Sequence, residues 1–295
     1  MHHLDPHERP PDSIRNVYKK YQKMKLNDLS KDQDIIDLSS SMSASSNSKM
    51  RVVREYAVEE LTATFRAFAG EGAAADLGDM HIPASIPVYE HEDMPGLHLI
   101  PSLLPAKVQS TLLSRLLHRD LCSPSHLTNI HTHYKLSYPP SQSSFFSIPP
   151  SSATPIATPL DPAVHKPLTA SQLLNKKLRW TTLGGQYDWT EKRYPPTPPP
   201  PFPSDTKDLL ESLFTSTKAE AAIVNLYSPG DTLSVHRDVA ETSSTGLISV
   251  SLGCDAIFVL GTSWVEPGGE VQDKVLTLRL RSGSAVSWPE RVQTI

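Results

Sequence analysis

The 295-residue sequence predicts an α+β fold in which helices precede a C-terminal antiparallel β-sandwich or jelly roll. Three patterns predict it. Beyond Glu220, short alternating or continuously apolar stretches are separated by turn residues, the mark of short antiparallel strands. Ahead of them, apolar residues recur at helical spacing in several stretches. Between these lie Pro- and Ser-rich stretches, which account for much of the 27 prolines and for a hydrophobic fraction of only 38%. Such stretches bury too little apolar surface to offset the entropy of ordering them.

The elements follow in order. "PPDSIRNVYKKYQKMK" (Pro10 to Lys25) reads as a short helix. Pro10 and Pro11 punctuate it, Asp12 or Ser13 can cap it, and Ile14, Val17, Tyr18, Tyr21 and Met24 share one face. Arg15, Lys19, Lys20, Lys23 and Lys25 make it basic, either as a solvated face or for phosphate contact. Asp37 to Lys49 is a polar low-complexity linker. Val52 to Gly70 reads as a further helix ending at the glycine. Leu97, Leu99 and Ile100 suggest a strand. Pro105 then opens a helix with Val108, Leu112, Leu113, Leu116 and Leu117 on one side. Residues 138–167 read as a mobile Ser/Pro-rich insertion, and 195–203 as a polyproline-type connector. From Ser204 a helix points Leu209, Leu210, Leu213 and Phe214 inward. Strands follow over "EAAIVNLY", "LISVSLG", "AIFVLG" and "KVLTLRLRSGSAVSW", the last turning at residues 282–284.

This divides the chain into a basic helix and disordered linker (1–50), a helical or linker segment (51–94) and a main domain (95–295) with its β core at 218–295. The net charge of -4 offers no global field for nucleic acid, so such a role needs local basic patches. Cys122 and Cys254 are too few for a disulfide framework or a Cys-rich zinc site and fit a reducing compartment. No apolar run reaches bilayer length, and the N-terminus lacks the apolar core of a secretory signal. A soluble, intracellular protein, monomeric and without a membrane partner, is expected. Nucleus and cytoplasm are the expected compartments, with the mitochondrion as a further one.

The chemistry concentrates in "NLYSPGDTLSVHRD" (Asn225 to Asp238). On a strand, His236 and Asp238 would point the same way, because strand side chains alternate with a period of two. An imidazole and a carboxylate together suit a borderline metal such as iron(II), but such a pair also arises as a surface hydrogen-bonding pair. Asn225 and Tyr227 would likewise share a face and could hydrogen-bond a dicarboxylate.

These motifs, with "GLISVSLGCDAIFVLG", "LRLRSGSAV" and the upstream "LRWTTLGGQYDWTEKRYP" (Leu178 to Pro195), resemble the AlkB-like family of iron(II)/2-oxoglutarate dioxygenases, in its AlkB homolog 1 branch. The resemblance implies a double-stranded β-helix (jelly roll) with flanking N-terminal helices. It implies His236 and Asp238 as iron ligands and Asn225 and Tyr227 as partners of 2-oxoglutarate. Trp180, Tyr187 and Trp189 fall in the nucleotide-recognition region, where flat rings could stack on an extruded base or simply pack a hairpin. Lys176, Lys177, Arg179, Lys192 and Arg193 flank them and could contact phosphates. The implied activity is oxidative demethylation of bases in transfer RNA or DNA, releasing formaldehyde, succinate and carbon dioxide. The pattern departs after Val286. The family's distal histidine and its co-substrate arginines have no match, and no histidine follows His236. Two ligands in place of three would weaken iron binding. Missing final strands would leave an open sheet edge. A non-catalytic nucleic-acid-binding scaffold is therefore the alternative expectation. Replacement of the missing ligand by His131 or His133 is the remotest one.

Overall fold

The structure, a computed structural model, describes residues 9–38, 49–70, 84–188, 193–236, 246–265 and 268–288. The elements begin with α1 (Asp12–Lys23), the short α2 (Leu26–Leu29), β1 (Met50–Ala57), α3 (Val58–Ala69), β2 (Ser85–His91), β3 (Met94–Ile100) and α4 (Ala106–Ser114). Next come β4 (Tyr134–Leu136), β5 (Pro155–Pro159), β6 (Leu168–Thr169), the short α5 (Ala170–Gln172), β7 (Trp180–Gly184) and α6 (Ser204–Leu213). The remaining strands are β8 (Ala221–Asn225), β9 (Leu247–Val250), β10 (Ala256–Val265), β11 (Val271–Leu280) and β12 (Ala285–Trp288). The chain forms two compact units, residues 1–109 with 232–295, and residues 110–231. Among the described residues no helix is long and apolar enough to cross a membrane.

The first unit is built on an antiparallel sheet ordered β1-β2-β3-β12-β9, with β10 and β11 as a separate hairpin. Alternation decides what each strand buries. Leu276, Leu278 and Leu280 of β11 share a face, and with Leu260 of β10 they pack on Met94, Leu97, Leu99 and Val286 of the larger sheet. Two β layers thus enclose one apolar core. The turn at 282–284 does not close a hairpin. It carries the chain from β11 to β12, in the other layer, with Ser284 N–H donating to the Arg281 carbonyl at 3.1 Å. The basic N-terminal segment forms α1 as its spacing predicts, burying Ile14 and Tyr21. No side chain caps it, so the expected capping by Asp12 or Ser13 is not found.

Residues 52–70 differ from expectation. Only the second half is helical. Val52 and Val53, β-branched, lie on β1, paired with β2 from Met50↔His91 to Ala57↔Ser85. The helix starts at Val58, with Glu59 and Glu60 in its first turn, where acids suit the helix dipole. It ends at Gly70, whose φ of 86° takes the left-handed region that glycine occupies without strain. Residues 50–57 and 85–91 therefore extend the sheet of β12 and β9, where the sequence suggested a separate helical or linker segment.

The second unit combines a sheet ordered β4-β5-β6, the β7–β8 ladder and α6. It corrects a second expectation. Residues 138–167 are integrated, not a mobile insertion: Phe145, Ile156 and Ala157 are buried among Leu121, Ile130, Leu136 and Leu173. β5 is the middle strand of its sheet, with Pro155 and Pro159 at its two ends, where a missing N–H costs the ladder least. Residues 195–203 have no regular secondary structure, but Phe202 docks on Gly184. A Cβ at position 184 would lie 2.9 Å from the Phe202 ring. The strands of the expected 218–295 core are thus shared among three sheets. β8 pairs with β7, β9 and β12 join the larger sheet, and the described residues close no barrel. Periodicity identifies a strand but does not choose its partner.

Candidate functional site

In the second unit the ladder between β7 and β8 sets the faces. Trp180 is directly opposite Asn225, Thr182 opposite Ile223 and Gly184 opposite Ala221. Directly opposed residues share a face. Asn225 and Tyr227 both point outward, since Leu226 between them packs into the core. The sequence spacing therefore places Asn225, Tyr227 and Trp180 together on one outer surface. Tyr227, at 55% exposure, is open to solvent.

The turn after Tyr227 is closed twice. Asp231 N–H donates to the Ser228 carbonyl at 2.9 Å, and Ser228 N–H donates to Asp231 Oδ2 at 2.7 Å. Gly230, with φ 90°, supplies the conformation that the turn requires. Arg179 Nη1 lies 3.4 Å from Asp231 Oδ2, and Leu226 N–H donates to the Arg179 carbonyl at 2.8 Å. The residue before Trp180 thus binds the turn after Tyr227.

Two side-chain amides that sequence reading missed hold this strand. Asn129 Oδ1 accepts from the backbone N–H groups of Arg179 (2.8 Å) and Trp180 (3.3 Å), and its Nδ2 donates to the Lys177 carbonyl at 2.8 Å. Gln186 Oε1 accepts from Leu127 N–H at 2.8 Å, and its Nε2 donates to the Gly184 carbonyl at 2.7 Å. The 127–129 segment is thereby fastened along β7. Only the capping pattern Thr128…His131 hinted at this turn. Asn129→Ala removes three bonds to backbone, one of them partly buried, and is expected to destabilise the protein by about 1–3 kcal/mol. Asn129→Asp, which keeps the acceptor, should lose less, as urea denaturation of both variants would register.

Beyond β7, the Tyr187 ring meets Tyr194 edge-on, with centroids 5.4 Å apart, and Asp188 N–H donates to the Arg193 carbonyl at 3.0 Å. Trp189 and Lys192 lie outside the described residues. Lys176, Lys177, Arg179 and Arg193 are exposed. His131 serves the fold. Its Nδ1 accepts from Thr128 N–H at 2.9 Å, its Nε2 sits 3.0 Å from Tyr138 Oη, and burial holds its pKa below the usual histidine value. The His133 and His165 rings lie tilted to one another, 4.7 Å apart between centroids.

In the first unit, His236 does not lie on a strand as expected. Residues 231–236 have no regular secondary structure. The alternation of Leu233 and Val235 meets no layer to bury against, and Leu233 is half exposed at 50%. Asp238 lies outside the described residues. Among the described residues no group of three or more His, Cys, Asp or Glu is gathered around a common point. The donor chemistry at His236 nonetheless fits a metal. Its Nδ1 is 2.7 Å from the Ser234 carbonyl, which can only accept, so the neutral ring carries its proton on Nδ1 and its lone pair on Nε2. A backbone carbonyl on one ring nitrogen is the usual way a metal-binding histidine is oriented.

The profile of the 2OG-Fe(II) oxygenase superfamily matches residues 96–295, and the chain belongs to that superfamily. It is 42% identical, over 96% of its own length and 82% of the relative's, to the N6-methyladenosine RNA demethylase ALKB1 of Pyricularia oryzae. It is 48% identical to the N6-methyladenosine RNA demethylase ALKBH of Cryphonectria parasitica, over 53% of this chain and 75% of the relative. With the tRNA demethylase abh1 of Schizosaccharomyces pombe it shares 39% identity, over 68% of this chain and 66% of the relative. These similarities place it among the AlkB-like oxygenases, in the ALKBH1 branch.

Proposed function

We propose that this protein is an iron(II)- and 2-oxoglutarate-dependent demethylase of methylated bases in nucleic acid, with methylated adenine in RNA as its leading substrate. The observation that carries the reading is the 42% identity, along 96% of the chain, to a relative named as an N6-methyladenosine RNA demethylase. Relatives named as demethylases weigh against the non-catalytic scaffold. The superfamily implies a jelly roll, and we read the two β layers of the first unit as part of its double-stranded β-helix.

His236 and Asp238 would hold the iron, His236 through Nε2. When bound, iron(II) with 2-oxoglutarate would use dioxygen to hydroxylate an N-methyl group, which leaves as formaldehyde while 2-oxoglutarate is oxidised to succinate and carbon dioxide. The chain's own residues bind and orient. Asn225 and Tyr227 offer an amide and a phenol on one face for the co-substrate carboxylates. Trp180, Tyr187 and Trp189 offer rings for a flipped base, which must leave its stack to be reached. Lys176, Lys177, Arg179 and Arg193 offer charge to the phosphates around it.

The test is formaldehyde release by the full chain with iron(II) and 2-oxoglutarate. Its substrates are RNA and DNA oligonucleotides carrying methylated adenine or methylated cytosine, each beside its unmodified counterpart. At least one methylated oligonucleotide should release formaldehyde above its control, and only with 2-oxoglutarate present. If no methylated oligonucleotide exceeds its control, the demethylase reading is wrong.

A further inference from the structure

The segment that bears His236 has no strand or helix to fix it, yet α1 holds it. Tyr18 Oη donates to Thr232 Oγ1 at 3.0 Å. Gln22 Nε2 donates both to Tyr18 Oη at 3.0 Å and to Thr232 Oγ1 at 3.2 Å. The three groups form a closed triangle between one turn of α1 and the start of the 232–236 segment.

The helix is itself firmly seated. Ile14 is fully buried against Gly261 of β10, where a Cβ would come within 2.2 Å of Ile14 Cδ1. Ser13 Oγ donates to Asp273 Oδ2 of β11 at 2.5 Å. In the last turn of the helix, Lys20 bridges Asp32 (2.8 Å) and Asp34 (2.7 Å) beyond it. Ile36 then docks on β11, its N–H donating to the Thr277 carbonyl at 2.9 Å and its carbonyl accepting from Arg279 N–H at 2.9 Å. Residues 12–36 are therefore a strap fastened at both ends to the β10–β11 hairpin. Its middle reaches the chain just ahead of His236.

We propose that α1 is a latch for the metal-ligand segment, with Tyr18 and Gln22 as positioning residues that hold Thr232 and so fix the approach to His236. The inference rests on His236 being a metal ligand. It gives the basic N-terminal helix a task inside the catalytic unit, distinct from any contact its lysines make. An irregular segment pays ordering entropy each time it binds a metal, and a tether at one end reduces that cost.

The experiment uses the full chain and the variants Thr232→Val, Thr232→Ser and Tyr18→Phe. Two readouts are taken, amide hydrogen exchange over 232–236 and Co(II) titration followed by its visible absorption bands. Thr232→Val keeps the side-chain shape and loses the acceptor. It should exchange faster over 232–236 and bind Co(II) about tenfold more weakly, the scale of a lost supporting bond at a metal ligand. Tyr18→Phe should move both readouts the same way, and Thr232→Ser should restore them, with the melting temperature unchanged throughout. Unchanged exchange in Thr232→Val overturns the latch. Faster exchange with wild-type cobalt affinity also overturns it, because the segment then moves without consequence for the metal. A His236→Ala variant that binds Co(II) as the wild type does overturns the metal assignment beneath it.

Discussion

His236→Ala abolishes 2-oxoglutarate-dependent succinate release, with a loss beyond the roughly 10–100-fold that follows removal of a mere supporting group at a metal site. The expectation follows from the ring's environment. With Nδ1–H given to the Ser234 carbonyl at 2.7 Å, Nε2 is the nitrogen left with a lone pair, and alanine supplies none. The fold should hardly notice. Residues 231–236 carry no regular structure and His236 is exposed, so stability should change by no more than about 0.5 kcal/mol. Loss of turnover with an unchanged melting temperature is therefore the expected signature. It is measured by succinate production beside a thermal melt. Wild-type turnover in the variant would remove His236 from the metal.

The contrast between the Asn225–Tyr227 pair and His236 shows what the sequence could reveal about the site. The shared outer face of Asn225 and Tyr227 was legible because β8 ends at Asn225 with its alternation continuing to Tyr227, and the apolar Leu226 between them packs inward. For His236 the strand geometry expected from the sequence is not found. Leu233 and Val235 alternate as a strand would, but alternation produces a strand only where a layer waits to be covered, and Leu233 is left exposed. Asn129 and Gln186 were not legible at all. Their partners lie about the start and end of β7, tens of positions away from Asn129 and Leu127, and nothing local marks such a pairing. The helices were the easier part. In α1 and α6 the apolar stripe, the punctuating prolines and the burial agree. In residues 52–70 the apolar spacing was real from Leu61 onward, but Val52 and Val53 belonged to a sheet edge that only β2 could disclose.

The Ser/Pro-rich region 138–167 yields the largest stability effect. Composition argued for mobility, because few of its residues are apolar. What composition cannot register is where those few go. Phe145 is 1% exposed, its ring 5.7 Å from Tyr138 between centroids, and its N–H donates to Cys122 Sγ at 3.3 Å. Phe146, next to it, is 45% exposed and meets only the edge of His118 in a ring contact at 5.3 Å. Phe145→Ala should therefore destabilise the protein by about 3–5 kcal/mol, the transfer cost of the ring plus the cavity it leaves. Phe146→Ala gives up a surface aromatic contact, worth about 0.5–1.5 kcal/mol. The two variants change composition identically, so composition predicts equal effects and packing predicts unequal ones. Urea denaturation of the pair separates the two accounts. A large loss for Phe145→Ala alone means that the prolines frame an ordered part of the second unit's core. Equal, small losses would mean that 138–167 contributes no packed core and that the expectation of mobility was correct.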